Sequence, residues 1–122
     1  MKDHASPKPV ITFGKFQNVD MRVALVRSAP MAHGTNSPSR LLSLDVGPLG
    51  PRLSVAQFAF VDEADLVGKH VIACVNLAPR QIGEHLSEAL TLGVMHPDNP
   101  EGQAQALPLL ASDQATPGDP IF

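Results

Sequence analysis

The sequence predicts an all-β domain, a five-stranded barrel with short helices and a C-terminal extension. Segments of strand length, apolar on at least one face, alternate with clusters of Gly, Pro, Asn and Ser, which is typical of small antiparallel β-domains. One of them, Val71 to Val75, is an unbroken apolar run rich in β-branched residues and therefore indicates a strand buried on both faces. The remaining segments are arranged around this strand.

The first half of the chain predicts a short helix followed by a three-stranded meander. Phe13, Phe16 and Val19 recur at helical spacing, whereas the residues from Met21 to Ala29 alternate as in a strand with one face on the core. Pro30 to Ser39 has the composition of a loop. A second strand is predicted from Leu41 to Val46, and a third from Arg52 to Gln57 after the dense turn signal Gly47 to Pro51.

The second half predicts two more strands. Asp62 to Val67 begins with acidic residues and ends before Gly68, as a short helix does. The strand at Val71 is then joined to a half-buried strand from Ser87 to Leu92 by a polar connector that carries Arg80, Gln81 and His85. Five strands with a short helix between the third and the fourth are the layout of an OB barrel. Another small antiparallel barrel or a sandwich is the alternative from pattern alone.

Length and composition indicate one domain with its own core, expected from residue 10 to residue 122. Residues 1–9 have charges and prolines but no apolar stretch, so we expect a flexible arm rather than a signal peptide or an anchor. Cys74 is the single cysteine and lies in an apolar run, which predicts a buried thiol and fits a cytoplasmic location.

The chemistry-bearing residues do not form an enzyme or metal signature. The five histidines are scattered without a pair at i, i+4, and no CxxC, HExxH, GxSxG or Walker loop is present. We therefore expect no catalytic activity, no metal and no cofactor. The formal net charge of −3 and the absence of Trp and Tyr also disfavour a strong, purely electrostatic nucleic-acid binder.

Four motifs in order carry a family resemblance over roughly Val10 to Phe122. They are FGKFQNVDMRV from Phe13, SVAQ from Ser54, LVGK from Leu66 and VNLAPRQIGEHLSEALTLG from Val75. Together they resemble the CsaA family of export-related chaperones, a branch of the tRNA-binding domains that are appended to methionyl-tRNA and other aminoacyl-tRNA synthetases. The resemblance implies an OB barrel, a homodimer formed by the terminal segments, and tRNA or unfolded polypeptide as ligand. Leu107, Leu109 and Leu110 are then candidates for the interface, or they close the end of the barrel.

Candidate binding residues lie around the connector. Arg80 has a planar guanidinium suited to phosphate or carboxylate, although a salt bridge to Glu84 or Glu88 is the alternative. Asn76 can read a base or a peptide amide, or can pin a loop. The resemblance adds Ser54, Gln57 and Ser87 as polar groups facing the binding groove.

Three further arginines are candidates for a basic rim. Arg40 and Arg52 flank the second and third strands, and Arg22 follows Asp20, with which it can instead pair locally.

These observations predict a non-enzymatic, homodimeric, cytoplasmic module that binds tRNA, unfolded export-bound polypeptides, or both, in one groove per protomer. Two grooves related by a twofold axis raise avidity through effective concentration. Leu86 stands where the CsaA branch has a basic residue, and with the acidic balance this favours polypeptide over RNA. A chaperone without RNA binding and a scaffold that only dimerises are the alternatives. No membrane insertion is expected, because no window approaches the roughly 18 apolar residues of a span.

Overall fold

A computed structural model of the chain describes residues 5–99 and 104–122. Its regular secondary structure is mostly β-strand, so the all-β prediction is confirmed. Of the predicted arm, residues 1–4 lie outside the described residues, and residues 5–9 are exposed and form neither helix nor strand. The elements in chain order are α1 Phe13–Gln17, β1 Met21–Ser28, β2 Met31–Ala32, β3 Ser39–Asp45, β4 Pro51–Ala56, β5 His70–Cys74, β6 Arg80–Ile82, β7 His85–Ser87, β8 Leu90–Thr91, β9 Gly93–Met95 and β10 Ala106–Pro108.

The main sheet has the strand order β2-β3-β1-β5-β8, with β4 paired to β3. All its pairings are antiparallel, with Leu42 opposite Ser54 in β3–β4 and Val23 opposite Ile72 in β1–β5. The predicted meander of β1, β3 and β4 is confirmed, and so is the return of the chain from β5 to an antiparallel partner, which is β8.

The core consists of side chains from one face of this sheet and from the segments that pack against it. Its largest fully buried side chains include Leu42 and Leu44 of β3, Val26 of β1, Val71 of β5 and Phe58 just after β4. Alternation along each strand puts these residues on the inner face and leaves their neighbours partly exposed. The Cys74 thiol is buried, as predicted.

The prediction of a closed barrel is wrong in one respect, because the strand ladders do not close on themselves. The gap is the seam between β4 and the segment 87–92, where a single backbone hydrogen bond joins the Glu88 amide to the Leu53 carbonyl at 2.7 Å. Beyond it, side chains replace the ladder: the Val55 amide donates to the Ser87 hydroxyl at 3.0 Å. The strands are held together there but not paired.

The predicted fifth strand, Ser87 to Leu92, is divided in two. Ser87 ends β7, which pairs with β6 in a hairpin of its own, and Leu90 and Thr91 form β8 beside β5. Glu88 lies between them and pairs with Leu53 through both its amide and its carboxylate, so the chain is drawn away from both neighbours. The pairing of β9 with β10 was also missed, because Ala106 to Ala111 reads only as an apolar stretch.

The two predicted helices are short. Residues 62–67 form a single 3₁₀ turn, Glu63–Asp65, and α1 has one turn capped by the Thr12 hydroxyl, which accepts from the Lys15 amide at 3.2 Å. None of the α1 residues is buried, although the Phe13 and Phe16 rings contact each other at 6.3 Å between centroids. Helix α1 therefore rests outside the core.

The turn after β3 is held by an acidic side chain. Asp45 accepts a hydrogen bond from the Gly47 amide at 2.8 Å and pairs with Arg27 at 2.7 Å. The Gly47 hydrogen bond, followed by the Arg27 guanidinium, lowers the pKa of Asp45 below its usual value.

Candidate ligand-binding groove

A groove of about 520 Å³ opens over the seam between β4 and segment 87–92. Its walls are the end of β4 with the two residues after it, from Val55 to Phe58, the connector from Leu77 to Ile82, and the segment from Ser87 to Gly93. Most of the lining side chains are apolar. We call this surface the Arg80 groove, after the cation at its rim.

The β6–β7 hairpin forms the outer wall of the groove, and a pair of glycines holds its tip. Gly83 has a φ of +58° at the first position of a two-residue loop, a conformation that favours glycine. The tip packs against the loop at Gly34 so closely that a Cβ on Gly83 would lie 2.1 Å from the Gly34 carbonyl oxygen. The His85 ring also lies 3.0 Å from the His33 carbonyl oxygen. The hairpin is thus tethered at its tip as well as at its base.

Arg80 is the exposed cation of the groove. The salt bridge to Glu84 or Glu88 does not form, and within residues 5–99 and 104–122 no group lies within hydrogen-bonding distance of the Arg80 guanidinium. Glu88 is occupied elsewhere, because its carboxylate accepts from the Leu53 amide at 2.9 Å. Arg80 therefore presents a charge that no residue in the described ranges neutralises.

The other three predicted arginines bond to the protein. The Arg40 guanidinium donates to the carbonyl oxygens of Phe58 at 3.2 Å, Val61 at 3.0 Å and Ala29 at 2.9 Å, joining the loop after β4 to the loop after β1. Its side chain is accordingly half-buried.

Arg22 and Arg52 make more local contacts. Arg22 pairs with Asp20 at 2.6 Å and donates to the Gly118 carbonyl at 3.2 Å, and the hydrogen bond to Asp20 raises its pKa. Arg52 donates to the Leu49 and Pro51 carbonyls at 2.7 and 2.9 Å. Neither residue lines the Arg80 groove.

Asn76 connects α1 to the end of β5. Its side-chain oxygen accepts from the Asp20 amide at 2.9 Å, and its side-chain nitrogen donates to the Asn18 carbonyl at 2.7 Å. The two bonds fix the α1–β1 junction, which is the loop-pinning alternative for this residue.

The predicted polar cluster divides between the core and the groove. Ser54 is fully buried, and its hydroxyl lies 2.8 Å from that of Thr91 beneath the seam. Ser87 lines the groove but is nearly buried, and its hydroxyl accepts from the Val55 amide and donates to the Ala89 carbonyl at 3.2 Å. Gln57 is half-buried in the groove wall. The structure thus brings Gln57, Arg80 and Ser87 together.

Sequence reasoning missed the apolar walls and one buried amide. Leu77, Ile82 and Leu90 line the groove. The Gly83-Glu84 pair between two short segments was the available signal for the β6–β7 hairpin, which contains Ile82. Gln105 is buried, and its side chain bridges the Pro38 carbonyl at 2.8 Å and the Ala59 amide at 3.1 Å. No local pattern marks a glutamine as buried.

The described part of the chain has neither a metal-binding cluster nor a membrane-spanning helix. No group of three or more His, Cys, Asp or Glu residues there can hold a metal ion. No helix in the same ranges is long and apolar enough to cross a membrane.

The fold and the groove place the chain in the class of small antiparallel β-domains of the OB type. Solved structures share it: CsaA chaperone protein from Picrophilus torridus matches with a TM-score of 0.82 and 30% identity, over 93% of this chain and 100% of that one. Chaperone CsaA from Bacillus anthracis matches with the same TM-score and 28% identity, over the same shares. The chain belongs to the family of CsaA-like tRNA-binding domains, which confirms the resemblance.

A curated relative extends the likeness to a longer protein. The methionine–tRNA ligase of Thiobacillus denitrificans is 37% identical over 111 residues, which are 88% of this chain and 16% of the ligase. A second such ligase, from Methylibium petroleiphilum, is 39% identical over 92 residues, or 13% of its length. The chain thus spans less than a fifth of these relatives. No family model matches the chain.

Proposed function

We propose that this chain is a non-enzymatic, cytoplasmic binding protein of the CsaA type, which captures unfolded, export-bound polypeptide or tRNA in the Arg80 groove of each protomer of a homodimer. The observation that carries the proposal is the pairing of apolar walls with the Arg80 guanidinium, which no described residue neutralises. Such a surface binds by contact and charge and contains no arrangement of nucleophile and base. Family membership supports the same reading.

Polypeptide is the ligand that the geometry favours. The groove has apolar walls at Leu77, Ile82 and Leu90, which suit the side chains of an unfolded segment. Three of the four candidate arginines are engaged by the protein's own carbonyl or carboxylate oxygens, which leaves one cation in the groove. A surface of this kind is poor in the charges that phosphate neutralisation requires.

The test of polypeptide capture is aggregation of a denatured client. The purified protein is expected to suppress light scattering when citrate synthase is diluted from guanidinium chloride, and Arg80→Ala is expected to suppress it less. Lys69→Ala is the matched control, because Lys69 is exposed, lies outside the Arg80 groove and removes the same charge. Unsuppressed aggregation at a tenfold molar excess of the protein would contradict the proposal.

tRNA is the second candidate, favoured by the likeness to methionine–tRNA ligases. Bulk tRNA binding is measured by filter retention at two salt concentrations, for the wild type, Arg80→Ala and Lys69→Ala. If Arg80 contacts a phosphate, its loss lowers the slope of log affinity against log salt by about 0.7 to 0.9. Affinity that does not change with salt excludes RNA as the ligand of this groove.

The homodimer is supported by exposed apolar side chains near both termini. Phe13 and Phe16 on α1 are 71% and 40% exposed, and Leu109 and Leu110 are also exposed. Patches of this kind mark contacts with other molecules when they are contiguous. Sedimentation equilibrium tests the assembly: Phe13→Ser with Phe16→Ser is expected to weaken the dimer, and a wild-type protein of protomer mass at micromolar concentration would refute it.

A further inference from the structure

The outer edge of β4 has one open position in the middle of the groove. Odd-numbered residues of this strand direct their backbone groups away from β3, as the contacts of Leu53 and Val55 with segment 87–88 demonstrate. The Leu53 amide, the Leu53 carbonyl and the Val55 amide are occupied by that segment. Gln57 follows the last residue of β4, and its carbonyl is also occupied, since it accepts from the Ala106 amide at 2.9 Å.

Between these occupied groups lie the Val55 carbonyl and the Gln57 amide. Neither has a hydrogen-bond partner across the seam among residues 5–99 and 104–122, and both residues line the groove. In a parallel pair of strands, one residue donates to the carbonyl of residue i−1 and accepts from the amide of residue i+1 of its neighbour. Val55 and Gln57 are such a pair, centred on Ala56.

We propose that the Val55 carbonyl and the Gln57 amide form a main-chain clip that receives one residue of an extended polypeptide running parallel to β4. The inference deepens the proposed polypeptide function and rests on it. Strand addition of this kind takes its affinity from backbone hydrogen bonds and its selectivity from alternate side chains. It suits a protein that binds many unfolded sequences, because every residue except proline offers the same two groups.

The groove also specifies the character of the polypeptide. Ile82 and Leu90 are positioned to receive an apolar side chain beside the clip, and Arg80 is the cation that no described group neutralises. The carboxylate of Glu88 is turned to the Leu53 amide and so is not an open partner for a basic residue. The expected occupant is an extended apolar segment that carries an acidic residue.

The experiment uses synthetic peptides and the full chain. Overlapping 12-residue peptides that cover α-lactalbumin are ranked by fluorescence anisotropy, and the tightest binder is remade with a single N-methyl group at each position. Methylation of the clipped residue is expected to weaken binding about tenfold, because it removes the donor to Val55 and blocks close approach. Methylation of its two neighbours, whose amides point away from β4, is expected to change affinity less than twofold.

Two further readouts place the peptide on the chain. Hydrogen exchange of the Gln57 amide is expected to slow at least tenfold on peptide addition, whereas amides of α1 keep their rates. Replacing the acidic residue of the peptide by its amide is expected to weaken binding to the wild type but not to Arg80→Ala.

The failures of the two proposals are distinguishable. A peptide that binds with a flat N-methyl profile and an unprotected Gln57 amide overturns the clip and leaves polypeptide capture standing. A complete absence of peptide binding, together with unsuppressed client aggregation, overturns both. Protection of Gln57 by tRNA and by no peptide also overturns the clip, since the groove then holds RNA.

Discussion

Arg40 and Arg80 are both candidate phosphate ligands by sequence, yet the structure gives them opposite environments, which one pair of substitutions can test. Arg40→Ala removes a guanidinium that donates to three backbone carbonyls at 2.9 to 3.2 Å. Arg80→Ala removes a guanidinium with no hydrogen bond to the described part of the chain. The first change is expected to destabilise the fold, and the second to affect only ligand binding.

The size of the Arg40 effect follows from the bonds lost. A hydrogen bond from a charged group contributes about 1.5 to 3 kcal/mol, but the three bonds share one side chain and the freed carbonyls at this half-buried site regain some water. We therefore expect Arg40→Ala to lower the free energy of unfolding by about 2 to 4 kcal/mol. Arg80→Ala is expected to stay within about 0.5 kcal/mol of the wild type, as surface substitutions usually do.

Urea denaturation followed by circular dichroism measures both variants. With a slope of about 1 to 3 kcal/mol/M, this loss is expected to lower the midpoint of Arg40→Ala by about 0.7 to 4 M at an unchanged slope. Arg40→Lys is a useful intermediate, because an ammonium cannot span three carbonyls in a fixed fork. A normal midpoint for Arg40→Ala, or an equal loss in Arg80→Ala, would refute the assignment of Arg40 to structure and Arg80 to ligand.

Three other outcomes follow from single contacts. Asn76→Ala is expected to lower the free energy of unfolding by about 1 to 3 kcal/mol, measured in urea, because both side-chain bonds from Asn76 to the α1–β1 junction are lost. Gly83→Ala is expected to weaken both stability and ligand binding, because the added Cβ would lie 2.1 Å from the Gly34 carbonyl oxygen. Gly68→Ala, whose Cβ would meet no atom within 4 Å, is expected to cost only the backbone strain of about 1 to 2 kcal/mol. Asp45→Asn is expected to make the free energy of unfolding fall less steeply at acidic pH. The hydrogen bond from Gly47 lowers the pKa of Asp45, so the stabilisation by its carboxylate is present at neutral pH and is lost as the pH falls through that lowered pKa.

Each of these has a result that would count against it. An Asn76→Asp variant keeps the acceptor for the Asp20 amide and should retain part of the stability, so a loss equal to that of Asn76→Ala would contradict the two-bond account. Equal behaviour of the Gly83 and Gly68 variants would mean that the hairpin tip does not depend on close packing. If the free energy of unfolding of the wild type and of Asp45→Asn changes with pH in the same way, Asp45 does not contribute to the loss of stability in acid.

Much of the fold was predictable because the signals are local. Alternation in Met21 to Ala29 and the apolar run from Val71 each indicate a strand, and dense turn residues at Gly47 to Pro51 define the β3–β4 hairpin. The divided fifth strand was not predictable, since Glu88 leaves the ladder to pair with Leu53, which is 35 residues away. A period of two in the sequence does not reveal such an interruption.

The candidate site was predicted only in part, for a related reason. Arg22, Arg40, Arg52 and Arg80 have the same side chain, and sequence offers no means of ranking them by the oxygens that surround them. Asn76 and Ser54 are polar residues at strand ends or within strands, and a polar type there fits a ligand as well as it fits a partner in the protein. Burial and partner distance separate these uses, and both are properties of packing.

The sequence by itself determined the all-β class, the family and the position of the Arg80 connector, because periodicity, turn residues and motif order are encoded along the chain. The tertiary structure alone decided where the seam of the sheet stays open and which of the four candidate arginines has no partner among the described residues. It also decided that, within the same residues, the Val55 carbonyl and the Gln57 amide have no partner across the seam. These features arise from contacts between residues distant in sequence, and backbone hydrogen-bonding groups are the same at every residue except proline. Their availability is therefore set by the fold rather than by residue type.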